Sequence, residues 1–185
     1  MAPLVSEKSR CVQLSSTKIN VVINQYRTEL DSHADTCTIG RNALVTHTYD
    51  RFVNVTAYDP ALGSVKDLNV VNAAVAYDSP LTGEVIILNI NQAIQINSMA
   101  NNLLCVMQLR VNDIKINECP KFLIDKPDAL QHSIVISPHG EQDIVVPLSL
   151  HGVTSFFATR KPTLQEYEQA VIDGRSFDLT YDSPE

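Results

Sequence analysis

The residues best suited to chemistry lie together in one short segment, residues 29–36, which read Glu-Leu-Asp-Ser-His-Ala-Asp-Thr. An apolar run delivers a carboxylate at Asp31, a hydroxyl follows at Ser32, and a second carboxylate stands at Asp35. Hydrolysis of a peptide bond by water needs one carboxylate that takes a proton and another carboxyl that gives one. The segment therefore predicts acid–base chemistry centred on Asp31, provided that a second carboxyl comes close to it.

Other uses of residues 32–37 are weaker alternatives. Ser32 as a nucleophile with His33 as its base is disfavoured, because adjacent residues of a strand point to opposite faces. His33, Asp35 and Cys37 alternate, so on a strand they would share one face and could bind a metal ion, as in a metal-dependent hydrolase. No fourth ligand is near them in sequence, and Cys37 as a nucleophile lacks an identifiable base. We therefore predict no metal and no other cofactor.

A second informative segment is residues 96–104, which read Ile-Asn-Ser-Met-Ala-Asn-Asn-Leu-Leu. Residues 31–35 resemble the D-[ST]-G-[AS] active-site loop of aspartic proteases, in the retropepsin form with an Asp one residue after the Ala. The second segment resembles the hydrophobic-hydrophobic-Gly loop of retropepsins and the Asn-Leu-Leu start of the helix that follows it. Residues 102–109, Asn-Leu-Leu-Cys-Val-Met-Gln-Leu, are similar to the N-L-L-S-V-x-Q-L run of copia-type retrotransposon polyproteins.

Over roughly residues 18–172, the chain thus resembles the retropepsin-like aspartic protease of a copia-type (Ty1/copia) Gag-Pol polyprotein. Several runs between residues 132 and 163 are also similar to the stretch after the protease in copia-like elements of diatoms and related protists. The resemblance implies an aspartic endopeptidase that processes the polyprotein of its own retrotransposon. Its substrate would be a peptide, and its partner a second copy of the chain.

The resemblance also implies a role for each residue of the site. With one Asp31 per chain, the second carboxyl comes from a partner chain across a two-fold axis, where two carboxyls about 3 Å apart share one proton. Ser32 would hydrogen-bond across the axis, and Asp35 would accept hydrogen bonds from backbone N–H groups of the substrate. The expected substrate contacts are His33, Ala34 and Asp35 in the loop, Tyr58, Asp59, Ala61, Leu62 and Gly63 in a hairpin flap, and Met99 and Ala100 in the second segment.

Two positions depart from the family pattern. His33 and Ala100 stand where the family has Gly, a residue that allows backbone and substrate to approach closely. His33 either points outward to solvent or narrows the cleft, and we expect the outward orientation. The departures favour one alternative function, a catalytically silent domain of the same fold that binds or scaffolds.

The elements that must position these residues are predicted to be strands. The chain has many Val, Ile, Leu and Thr residues and no Trp, a composition typical of strands. Residues 53–58 alternate at period two, residues 59–63 and 78–83 have turn chemistry, and residues 64–77 and 84–96 resume strand character. This pattern predicts an antiparallel meander. Together with the resemblance, it gives an all-β fold class: a retropepsin-like (acid protease) closed barrel or meander with one short C-terminal helix and an irregular C-terminal extension.

Three parts and two helices are predicted along the chain. The parts are a flexible N-terminal arm at residues 1–17, the protease domain at 18–120 and a C-terminal extension with short strands at 121–185. The first helix covers residues 101–109, with either of the Asn residues that open it as its cap. The second lies near residues 163–172, where the run Thr-Leu-Gln-Glu predicts a capping box.

Charge and hydropathy exclude some classes of partner. The net charge is −7 and no block of Lys or Arg is present, so we predict no binding of nucleic acid. No run of apolar residues is long enough for a membrane span or a signal peptide, so we expect no membrane contact. The four Cys residues lack metal-finger spacing, which predicts reduced thiols and a cytoplasmic location. The resemblance implies that this location includes the interior of virus-like particles.

Overall fold

A computed structural model describes residues 26–56, 59, 61, 63–138, 140 and 142–182. The described strands are β1 Arg27–Asp31, β2 Thr38–Ile39, β3 Leu44–Thr56, β4 Ser64–Asp78, β5 Val85–Gln95, β6 Asn102–Cys105, β7 Lys115–Asn117, β8 Ser133–Ile136, β9 Ile144–Pro147, β10 Ser149–His151, β11 Thr154–Ala158 and β12 Ser176–Asp178. The described helices are α1 Val106–Val111, α2 Leu164–Ile172 and a single 3-10 turn, Lys121–Leu123. Strands therefore dominate, as the all-β prediction requires. No helix in this part of the chain is long and apolar enough to cross a membrane.

The larger sheet contains the predicted meander but is open. Its strand order is β10-β11-β1-β6-β2-β5-β4-β3, with β12 paired to β5, while β7, β8 and β9 form a second sheet. Strands β3, β4 and β5 are consecutive antiparallel neighbours, which confirms the meander. The path ends at β10 and β3. A closed barrel would need these end strands to pair, so among the described strands the predicted closed barrel does not form.

Strand β6 separates β1 from β2, and this arrangement builds the site. β6 runs parallel to β1, with Asp31 opposite Cys105, and antiparallel to β2, with Thr38 opposite Leu103. The chain leaves β1 at Asp31 and enters β2 at Thr38, so the connecting loop crosses the end of β6. Two segments far apart in sequence, the loop and the start of α1, therefore meet at one end of these three strands.

The predicted helix at residues 101–109 begins later than expected. Residues 102–105 form β6, and α1 starts at Val106 with Cys105 as its N-cap residue, so neither Asn101 nor Asn102 caps it. The amide of Asn102 is buried instead, where it donates to Thr28 Oγ1 (3.2 Å) and accepts from Gly40 N (3.0 Å). Pairing with β1 therefore outweighs the helical spacing of these residues.

The chain after residue 120 contributes to the same sheet and core as the chain before it. β11 pairs antiparallel with β1, and β12 pairs parallel with β5. One cluster of buried side chains includes residues from both parts, among them Leu30, Leu88, Leu104, Ile134, Phe157 and Leu179. The segment that we predicted to be an irregular extension is thus more regular than expected.

Helix α2 confirms the predicted capping box. Thr163 Oγ1 accepts a hydrogen bond from Glu166 N (3.2 Å), and Glu166 Oε2 accepts one from Thr163 N (2.8 Å). The Arg160 guanidinium donates both to Glu166 and to Asp78 at the end of β4. These hydrogen bonds, chiefly those from Arg160, lower the pKa of Glu166 to about 2. The Glu166 carboxylate therefore joins the first turn of α2 to the sheet.

Replacing Glu166 by Gln should lower the free energy of unfolding at neutral pH by about 1 kcal/mol, a modest loss because this side chain is 34% exposed and solvent screens the pair. The ordinary pKa of about 4.5 applies to the unfolded chain, which therefore takes up the proton first as the pH falls. The contribution is complete above pH 4.5 and is lost towards pH 2. Urea denaturation across this range should find the two proteins converging in stability.

The matched control for this change is Glu168→Gln, at an exposed position of the same helix. It should leave the stability at neutral pH within about 0.5 kcal/mol of wild type, as is usual for surface substitutions. Equal losses in the two variants would contradict a specific role for Glu166.

Candidate active site

Asp31 is the last residue of β1, and the sequence around it explains its position. The preceding Leu30 is buried in the core and fixes the strand, so Asp31 points to the opposite side at the strand end. The Asp31 side chain is 38% exposed. Its Oδ1 atom accepts a hydrogen bond from the backbone N–H of His33 (2.8 Å), which turns the chain at the start of the loop. A partly exposed carboxylate is thus held at a fixed point.

The loop after Asp31 is attached to the start of α1 by four hydrogen bonds. Gln108 Oε1 accepts from Cys37 N (2.8 Å), and Gln108 Nε2 donates to Thr36 Oγ1 (3.4 Å). Cys105 Sγ donates to the carbonyl of Ala34 (3.0 Å), and Cys105 N donates to Cys37 Sγ (3.2 Å). The loop conformation is therefore set by Cys105 and Gln108, which belong to the run 102–109 singled out in the sequence.

Two grooves meet at this loop. A flap-side groove of about 480 Å³ separates the loop from the end of β3 and is lined by Thr38, Asn54, Val55, Thr56, Ile94 and Leu103. A helix-side groove of about 580 Å³ is lined by Arg51, Asn91, Gln92, Cys105, Met107, Val111, Thr180 and Tyr181. Four residues line both grooves: Ala34, Asp35, Thr36 and Gln108. The structure thus brings the predicted contacts Ala34 and Asp35 to a concave surface, whereas Asp31 and Ser32 do not line either groove in one chain.

Ser32 and His33 approach each other, which differs from the expectation that they point to opposite faces. Residues 32 and 33 form a turn rather than a strand, and Ser32 Oγ lies 3.3 Å from His33 Nδ1. Asp31 Oδ1 lies 4.0 Å from the same ring nitrogen. A serine triad needs the hydroxyl and the carboxylate at different ring nitrogens. The three residues therefore do not form one, although the reason differs from the one given by the sequence.

The exposed His33 ring does not enter either groove. Its side chain is 96% exposed, and it is absent from the residues that line the two grooves. His33 also has no positive φ, since the described non-Gly residues with positive φ are Asp67, Gln92, Asp113 and His132. The backbone at this position therefore does not require the Gly that the family has. In one chain, the exposed ring agrees with the outward orientation that we expected.

The arrangement behind the metal alternative does not form. His33 lies in a turn, Asp35 lies in a bend and Cys37 is buried, so the three side chains do not share one strand face. Burial raises the pKa of the Cys37 thiol to about 12, which keeps it protonated and unsuited to bind a metal or to attack a substrate. No group of three or more His, Cys, Asp and Glu side chains that could hold a metal ion occurs among the described residues.

The predicted flap is a turn between two long paired strands. Asp59 Oδ1 accepts a hydrogen bond from Ala61 N (2.9 Å), and Gly63 adopts a φ of 83°, which favours glycine. Asp59, Ala61 and Gly63 are exposed, and the turn joins β3 to β4 as the sequence predicted. Tyr58 and Leu62 lie outside the described residues. Contact of this turn with a substrate stays a prediction.

Met99 and Ala100 lie at the end of β6 that is remote from Asp31. They precede Asn102, the first residue of β6, whereas the residue opposite Asp31 is Cys105, the last residue of β6. The carbonyl of Met99 instead packs against Gly40, where an added Cβ would lie 2.5 Å from the oxygen. Neither residue lines a groove in one chain, but Met99 Sδ accepts from Thr38 Oγ1 (3.9 Å), and Thr38 lines the flap-side groove. Contact of Met99 and Ala100 with a substrate stays a prediction.

Three residues of the site were not among the predicted site residues: Thr36, Cys105 and Gln108. Cys105 and Gln108 both belong to the run 102–109 that the sequence singled out, and Thr36 follows the predicted loop directly. The signal was present in these runs, but spacing alone does not say which side chains face the loop. The strand register of β1 and β6 supplies that information.

Comparisons of the chain with protein-family models, with curated proteins and with solved structures gave no match. The function is therefore inferred from the geometry around Asp31 and from the sequence motifs that the geometry brings together.

Proposed function

We propose that the chain is a retropepsin-like aspartic endopeptidase of a copia-type retrotransposon, active as a homodimer and acting on a polyprotein. The observation that carries this proposal is the contact between its two motifs. Asp31 pairs opposite Cys105, and hydrogen bonds from residues 105–108 hold the loop after Asp31 beside an open groove. The sequence motifs alone do not require this juxtaposition.

The chemistry follows from pairing two such chains. Two Asp31 carboxyls about 3 Å apart would share one proton, because both cannot ionise at that distance. The ionised carboxyl takes a proton from a bound water molecule, whose oxygen attacks the carbonyl carbon of the peptide. The protonated carboxyl gives its proton to the carbonyl oxygen, and transfer of a proton to the leaving nitrogen then breaks the C–N bond. Asp35, exposed on the groove wall, accepts hydrogen bonds from backbone N–H groups of the substrate.

The alternative function is a silent domain of the same fold, suggested by His33 at a position where the family has Gly. The absence of positive φ at His33 and the exposure of its ring argue that the loop tolerates this residue. The two functions differ in whether bound peptide is cut, so a combined assay of binding and cleavage separates them.

The test of the proposal is cleavage of a pool of peptides in mildly acidic solution, followed by mass spectrometry, with and without a statine-type peptide. We expect cleavage that the statine-type peptide abolishes and that EDTA leaves unchanged, because the mechanism uses carboxyls alone. Binding of the statine-type peptide without any cleavage would favour the silent domain. Cleavage that EDTA abolishes and the statine-type peptide leaves intact would contradict both.

A further inference from the structure

We infer that Gln108 is a positioning residue that turns the Thr36 hydroxyl into a hydrogen-bond donor for an amide group bound beside Asp35. The inference rests on the proposed function, because it assigns the recognition of substrate at that same site. It starts from the hydrogen bond that the backbone N–H of Cys37 in the loop donates to the side chain of Gln108 in α1. The two residues are 71 positions apart.

The orientation of the Gln108 amide is fixed by its partners. The backbone N–H of Cys37 can only donate, so the atom that lies 2.8 Å from it must be the Gln108 oxygen. The amide nitrogen therefore faces Thr36 Oγ1, at 3.4 Å. Because an amide nitrogen only donates, the Thr36 oxygen is the acceptor of this long hydrogen bond. The hydroxyl proton of Thr36 is then directed away from Gln108.

The direction left to this proton is towards the grooves. Thr36 lines both the flap-side and the helix-side groove, and the neighbouring Asp35 lines the same two. The ionised Asp35 carboxylate is only an acceptor, and the Thr36 hydroxyl held by Gln108 is a donor. The loop thus presents an acceptor and a donor side by side on one wall.

A peptide amide matches this pair. Its N–H group would donate to Asp35, and its C=O group would accept from Thr36. A carboxylate would be repelled by Asp35, and an ammonium group has no acceptor for the Thr36 proton. The amide can come from the substrate backbone or from an Asn or Gln side chain, because both carry the same two groups.

The first part of the test compares Thr36→Val, which removes the hydroxyl at nearly constant shape, with the control Thr36→Ser, which keeps it. The probe is a set of fluorogenic peptides with Gln, Glu or Met at each position around the cleaved bond. We expect Thr36→Val to lower kcat/KM about tenfold, mainly through KM, and Thr36→Ser to stay near wild type. A loss confined to peptides with Gln identifies a side-chain amide, and an equal loss for all peptides identifies the backbone.

The second part uses Gln108→Glu, which separates positioning from loop stability. The new carboxylate accepts from both Cys37 N–H and the Thr36 hydroxyl, so the loop stays attached. The Thr36 hydroxyl then donates to this carboxylate and no longer to a bound amide. As the pH falls towards about 4, the protonated carboxyl donates to Thr36 as the amide did. The kcat/KM ratio of wild type to variant should therefore approach one at low pH. The other charged and titratable groups around this position are the same residues in both proteins: Asp35 and Arg51 on the groove wall, Cys37 and Cys105 beneath the loop, and Asp31.

Thermal unfolding at each pH verifies that both proteins are folded. Unchanged kcat/KM in Thr36→Val, or a ratio for Gln108→Glu that does not vary with pH, would overturn the inference while cleavage by wild type upholds the proposed function. No cleavage of any peptide by wild type would overturn the proposed function and, with it, this inference.

Discussion

Replacing Asp31 by Asn should abolish peptide cleavage, with kcat falling by about 10²–10⁴ or to the background rate. Asn cannot hold or transfer the proton that two facing carboxyls would share. The substitution should leave the fold intact, because the amide oxygen of Asn can still accept the hydrogen bond that His33 N donates to Asp31 Oδ1. Initial rates on a cleaved peptide, with thermal unfolding in parallel, measure both effects.

The matched control is Asp125→Asn, an exposed Asp outside the residues that line the two grooves. Its rate should stay near that of wild type, which excludes a general effect of losing one negative charge. Undiminished cleavage by purified Asp31→Asn protein would contradict the catalytic assignment. A large fall in unfolding temperature would instead mean that Asp31 has a structural role at the end of β1.

The meander and the capping box were predictable because both depend on local chemistry. Alternating side chains with turns at 59–63 and 78–83 specify β3, β4 and β5, and the Thr163–Glu166 contact lies within one helical turn. The start of β3 at Leu44 was not predicted. Register shifts in its pairing with β4, between Val45 and His47 and between Thr48 and Phe52, interrupt the period of two on which the prediction depends.

The start of α1 and the remote contacts of the loop could not be predicted in the same way. Leu103 and Leu104 suit a helix as well as a buried strand, and pairing with β1 decides between the two. The contact from Gln108 to Cys37 depends on the same pairing, which no local pattern encodes. The position of Ala100 depends on the same register, which puts Cys105 opposite Asp31, and its contact with a substrate stays a prediction.

The strand that carries Asp31 is supported on both sides, and the chain after residue 120 supplies one of them. β1 lies between β6 and β11. Buried polar groups join these strands, since Thr28 Oγ1 contacts Thr159 Oγ1 (2.8 Å) and accepts from Asn102 Nδ2 (3.2 Å). A buried hydrogen-bonded group is costly to leave without its partner, so these contacts fix the alignment of the three strands. The position of Asp31 therefore depends on a segment well beyond the two motifs.

Mixing wild-type chains with Asp31→Asn chains should inhibit cleavage, because the proposed site takes one carboxyl from each chain. If chains exchange freely and a mixed dimer is inactive, the active fraction of wild-type chains equals the wild-type fraction of the mixture. An equal amount of Asp31→Asn protein should then lower the rate at constant wild-type concentration to about half, and a ninefold excess to about one tenth. A single-chain enzyme would be unaffected by either addition.

This prediction needs conditions in which the dimer is populated. The net charge of −7 opposes association, so the mixture should be assayed well above the dissociation constant and at moderate salt, which screens the repulsion. Diluting wild type alone should lower its specific activity through the same constant. Titration with a tight statine-type peptide should reach full inhibition at one inhibitor per two chains. The contrary result is a rate that does not change when Asp31→Asn protein is added, together with binding of one inhibitor per chain. It would place the complete site within a single chain, with a second carboxyl other than the partner's Asp31.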